Sequence, residues 1–128
     1  MPDAALLSRL SDAVEAGFAA ETAFLADLVR FPSTRGNEAP LQDWMARQLA
    51  QRGYGVDRFT LADVPLSAHP KASPMVEADP ARSVQVVATH RAAAPTGRSL
   101  ILQGHVDVVP EGPQEMWTHP PYAAVVKD

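Results

Sequence analysis

The sequence predicts an α/β chain: two helices followed by a mixed sheet that contains a hairpin. Three observations carry that reading. Apolar residues recur at helical spacings over the first 52 of the 128 residues. From Tyr54 the period drops to two. Between 99 and 109 lies "SLILQGHVDVV", the most hydrophobic strand-like run in the chain.

The first helix is predicted over 3–30. Leu6, Leu10, Val14, Phe18, Leu25 and Val29 form one stripe at four- and seven-residue spacings. That stripe is expected to be core. Asp3 can cap the start by accepting from free backbone N–H groups. Gly17 weakens the middle by up to ~1 kcal/mol relative to Ala, so a break into two helices is allowed there. Pro32 sets the stop, because the residue before a proline avoids the helical region. The second helix is expected from about Glu38 to Arg52, capped by Asn37, with Pro40 in the first turn and Gly53 ending it. "YGVDRFTL", 54–61, alternates as a strand exposed on one side. Residues 62–83 hold four prolines and read as a long loop. "SVQVVATH", 83–90, and the run 99–109 are strands, and the short turn 92–98 between them predicts an antiparallel hairpin. A short strand is allowed at 122–126.

Composition excludes several classes. Eleven basic residues stand against 15 acidic ones, for a net charge of −4. No basic patch points to nucleic acid. No run approaches the ~18 apolar residues of a membrane span, and "MPDAALLSRLSDAVEAGF" lacks the pattern of a signal peptide. A soluble cytoplasmic protein is the expectation. The chain has no cysteine, so any metal must be held by His, Asp or Glu.

The chemistry concentrates in "GHVDVVPEGP", 104–113. Side chains alternate across a strand, so His105 and Asp107 can point to the same side near its end. Ligand sites concentrate at such strand ends in α/β folds. A neutral imidazole is a good zinc ligand. A carboxylate that accepts the other ring N–H fixes the tautomer and orients the ring. On spacing alone the plainer reading is favoured, with His105 bonded to a backbone carbonyl and Asp107 capping the loop, because short motifs match often by chance.

The wider string changes that balance. "LADLVRFPST", "SLILQGHVDVVPEG" and "MWTHPPYAAVVKD" together resemble the zinc-dependent acetylornithine deacetylase and succinyl-diaminopimelate desuccinylase family, which also holds aminoacylases and metal-dependent carboxypeptidases. The resemblance runs over nearly the whole chain and is least in 62–83. It implies that residues 1–128 are the N-terminal part of a single zinc-peptidase-like catalytic domain, left incomplete. It further implies His105 as a metal ligand and Asp107 as the supporting catalytic carboxylate. The cofactor it implies is zinc, two ions per site in the complete enzyme, with cobalt an alternative. The implied reaction is hydrolysis of an amide bond in an N-acyl amino acid or similar small, peptide-like substrate, by an enzyme that is often a homodimer. In that family the metal-bridging aspartate and the Glu-Glu pair lie beyond the stretch matching "VVKD", and Asp128 matches the acidic residue before them. This chain therefore holds one ligand and one support residue. Catalytic zinc normally takes three protein ligands, so the polypeptide alone is expected to be inactive.

The other histidines read more plainly. His69 sits in the proline-rich loop, His90 ends a strand, and His119 belongs to the loop "WTHPP". Trp117 and Tyr122 are expected to pack that loop. Ser33 and Thr34 lie where the first helix ends, with no base placed to activate either. No nucleophile elbow, phosphate-binding glycine loop, dinucleotide fingerprint or His-Glu-x-x-His is present. A second functional class stays open beside the enzyme: a truncated, non-catalytic binding or interaction module.

Overall fold

A computed structural model describes residues 3–65, 68–72, 79–94 and 96–127. They form two compact units, one from Met1–Phe31 with Gly112–Asp128 and one from Pro32–Glu111. Asp128 lies outside the described residues.

The first unit is built on helix α1, Ala4–Val29. Asp3 caps it as expected: its backbone is extended and its carboxylate accepts from the Ala5 amide at 3.0 Å. The helix runs unbroken through Gly17. One glycine costs about 1 kcal/mol, too little to outweigh the continuous backbone ladder on either side. The apolar stripe is a different matter. Leu6, Leu10, Val14, Phe18 and Leu25 are all exposed, Phe18 at 65 %. The stripe expected to be core is uncovered. In the second half of α1, Thr22, Phe24, Ala26 and Leu28 are half-buried. There the returning segment, with a 3-10 turn at Gln114–Met116, forms with the helix a cavity of about 530 Å³. Leu25, Val29, Trp117, His119 and Val125 are among its walls. No strand forms at 122–126. Ala124 has φ 53°, a left-handed conformation that a strand cannot contain.

In the second unit, helix α2 spans Ala39–Gln51 with Pro40 in its first turn. Its cap is Glu38, not Asn37. The Asn37 amide donates back to the Thr34 hydroxyl at 2.9 Å, which turns the side chain away from the helix amides. At the other end Arg52 donates to the Gln48 carbonyl at 2.9 Å, and Gly53 adopts φ +83°. That left-handed residue ends the helix and starts the sheet.

Strand β1, Gly55–Thr60, pairs antiparallel with β2, Val84–Thr89, in a register from Gly55↔Thr89 to Thr60↔Val84. The long connection is tied back at its ends, with Leu61 N–H donating to Ser83 O at 3.1 Å and Ala62 N–H to Pro80 O at 3.2 Å. Loop-closure cost grows slowly with length, so the long connection is compatible with the ladder between the two strands. A 3-10 turn, Leu61–Asp63, leaves β1. The Asp63 carboxylate accepts from the Thr60 amide at 2.7 Å and the Thr60 hydroxyl at 2.8 Å. Those bonds favour its charged form and hold its carboxyl below the usual aspartate range. Helix α2 packs across both strands. Leu41 and Val84 are the buried hydrophobic residues among those described. An Arg58–Asp43 ion pair joins strand to helix at the surface.

The fold class is as the sequence predicts: two helices and then a small, incomplete sheet. The pairing within it is not. The sheet is two-stranded and antiparallel, and the run 99–109 is not one of its strands. The expected hairpin of 83–90 with 99–109 is replaced by the pairing of β1 with β2. The run's ladder contact is one isolated parallel bridge, Thr34↔Val108. A strand needs backbone partners and cover for its side chains. Leu100, Ile101 and Leu102 have neither strand partner nor cover, at 81 to 89 % exposed.

Candidate functional site

The site residues occupy the extended segment that follows Gly104 in the second unit. The segment is held from across the chain by residues just after α1. The Ser33 carbonyl accepts from the Val108 amide at 3.0 Å, and the Ser33 hydroxyl donates to the Val106 carbonyl at 2.7 Å. Ser33 is 2 % exposed, the buried polar residue of the described chain. Its hydroxyl supplies the donor that a neighbouring strand's amide would otherwise give.

Asp107 lies between those two anchors, and its side chain meets that of His105. The His105 Nδ1 lies 3.1 Å from Asp107 Oδ1 and 3.1 Å from the Asp107 carbonyl oxygen. A carboxylate and a carbonyl are both acceptors, so the nitrogen between them must donate. In its neutral form a ring that donates from Nδ1 keeps its lone pair on Nε2. The ring is 85 % exposed and the carboxylate 47 %. This is the arrangement in which an imidazole is ready to ligate through Nε2 while a carboxylate fixes its tautomer.

The sequence places this pair on the same side of an extended segment, and the structure brings the two side chains together. Among the described residues no group of three His, Cys, Asp or Glu is placed to hold a metal ion. The His69 Nδ1 accepts from the Lys71 amide at 3.2 Å. The His90 ring meets Tyr54 edge-on, with centroids 5.9 Å apart. His119 lines the cavity of the first unit beside Trp117. The donors present thus fit one ligand position of a zinc centre and do not complete one.

Sequence reasoning missed Ser33. A hydroxyl bound to a carbonyl 73 residues away leaves no local pattern. The available signal was its place in "FPST", just after the first helix, without a helical or strand role of its own.

No family model matches the chain. Curated proteins that it resembles include desuccinylases. The chain is 32% identical over 102 residues to the succinyl-diaminopimelate desuccinylase of Stenotrophomonas maltophilia (strain K279a), a match that covers 80% of this chain and 21% of that one. It is 32% identical over 103 residues to the enzyme of the same name from Hahella chejuensis (strain KCTC 2396), with coverage of 80% and 21%. For the one from Xanthobacter autotrophicus (strain ATCC BAA-1158 / Py2) the identity is 32% over 108 residues, covering 83% and 24%. The chain thus spans 21% to 24% of the length of these relatives. No helix among the described residues is long and apolar enough to cross a membrane.

Proposed function

We propose that this chain is the N-terminal segment of a metal-dependent hydrolase that cleaves the amide bond of an N-acyl amino acid. The observation that carries the reading is the His105–Asp107 pair, with Nδ1 held at 3.1 Å from the carboxylate and Nε2 open. Similarity to three desuccinylases over at least 80% of the chain supports it and makes an N-succinyl amino acid the favoured substrate. An acetylated substrate is the next to test.

In this reading His105 ligates zinc through Nε2, and Asp107 orients the ring. A bound zinc ion polarises the amide carbonyl and lowers the pKa of water. The remaining ligands and the general base come from outside the described residues. The segment alone is inactive, and the longer protein works in the cytoplasm, on a small substrate, as a homodimer.

The test is made in the longer protein that carries this segment. His105→Ala should lower zinc content by at least one ion per site and abolish hydrolysis of N-succinyl and N-acetyl amino acids. Asp107→Asn should reduce kcat about 10- to 100-fold, as expected when the partner of a metal-bound histidine is lost. Full zinc content together with full activity in His105→Ala overturns the reading. Hydrolysis by the 128-residue chain alone overturns the claim that it is inactive.

A further inference from the structure

We infer that Ser33 is the positioning residue of the His105–Asp107 pair, a role that rests on reading those two side chains as the site. Ser33 holds the backbone on both sides of Asp107. Its hydroxyl takes the carbonyl of the preceding residue, Val106, at 2.7 Å, and its carbonyl takes the amide of the following residue, Val108, at 3.0 Å. Together these fix both peptide planes that flank Asp107. Peptide orientation sets the direction of the intervening Cα–Cβ bond, because the side chain alternates with its neighbours along an extended segment. The 3.1 Å contact between Asp107 Oδ1 and His105 Nδ1 depends on that direction.

Two further facts give Ser33 this task rather than a packing role alone. First, the run 99–109 belongs to no strand of the sheet, and its ladder contact is the isolated bridge Thr34↔Val108. Leu100, Ile101 and Leu102 are more than four-fifths exposed, so packing does not hold that part of the run, and only Val106 beside the pair is half-buried. Second, Ser33 is 2 % exposed while the pair it serves is open to solvent. A buried hydroxyl bond excludes water as a competitor, and losing the donor leaves the Val106 carbonyl short of a partner. Ser33 touches neither the ring nor the carboxylate and acts through the backbone.

The experiment uses the 128-residue chain, isotope-labelled, with two magnetic resonance readouts: amide exchange at Val108 and the imidazole nitrogen shifts that report the His105 tautomer. In the unaltered chain Val108 should be protected and His105 should carry its proton on Nδ1. Ser33→Ala should speed Val108 exchange about tenfold, in line with the loss of one hydrogen bond, and move His105 toward the Nε2–H form. Ser33→Thr keeps the hydroxyl and should restore both values. The amides of β1 and β2 serve as controls and should be unchanged in either variant. Unchanged exchange and tautomer in Ser33→Ala overturn the inference. If Ser33→Ala also loses protection in β1 and β2, the unaltered chain and Ser33→Thr decide. An unprotected Val108, or a His105 protonated on Nε2, in either of these overturns it. Neither readout needs metal or turnover. A failed zinc test in the longer protein therefore sinks the functional reading alone, and a silent Ser33→Ala sinks this inference alone.

Discussion

The run 99–109 is more apolar than helix α2, yet α2 is packed and the run is bare. Leu41 of α2 is 3 % exposed, whereas Ile101 is 89 % exposed. The difference is the neighbour. Helix α2 satisfies its own backbone and needs only a surface to lie on, which β1 and β2 provide. An extended run satisfies nothing internally. It must find strands on its edges and layers on its faces, and among the described residues it finds one bridge. Apolarity sets how much burial would stabilise a segment, and the partner decides whether that stabilisation is realised.

The comparison can be broken most directly at Leu41. Leu41→Ala should cost about 2–5 kcal/mol, the range for truncating a buried leucine. Urea unfolding followed at β1 and β2 should show the loss as a lower midpoint. A cost under about 1 kcal/mol would mean that α2 does not rely on this contact. Next comes Gly53→Ala. The site has open space for a methyl group but φ +83°, so the cost is backbone strain of about 1 kcal/mol. The midpoint should fall by less than half the Leu41 effect.

A smaller effect is expected from pH. Folding lowers the Asp63 carboxyl below its ordinary range through its bonds from Thr60. A lowered carboxyl stabilises the fold fully above the unfolded value, and that contribution is lost as pH falls through the folded value. The 60–63 turn should therefore loosen only below the usual aspartate range. Carboxyl carbon shifts of Asp63 against pH would check this, and Asp63→Asn should remove the dependence. The smallest effect is predicted at Ile101. Ile101→Ala should change the stability of this chain by no more than about 0.5 kcal/mol, as at other exposed positions. If the proposed longer protein covers the run, the same change should cost about 2 kcal/mol or more there. Equal small effects in both proteins would remove the case for a covered strand.

Much of the local structure was legible in the residues. Asp3, Pro40 and Gly53 mark helix ends by side-chain chemistry or backbone geometry that acts within one turn. Asn37 misled because the helix starts one residue later, at a Glu38 cap, while the Asn37 amide donates to the Thr34 hydroxyl. The His105–Asp107 pair was legible because two residues in extended chain are already neighbours. Strand choice was not. For residues 83–90 the short turn to 99–109 pointed to the wrong partner. The selected partner, β1, lies across a far longer connection, tied by bonds at Leu61 and Ala62 that no local pattern announces.

By itself, then, the sequence determined two helices, their ends, a period-two region and an imidazole with a carboxylate within reach. Each depends on interactions between residues a few positions apart. Only the tertiary structure decided that β1 pairs with β2, that the stripe of α1 and the run 99–109 stand exposed, and that Ser33 grips the backbone around Asp107. Those outcomes depend on which distant groups meet. Burial and hydrogen bonding reward such meetings only once the chain has brought the partners together.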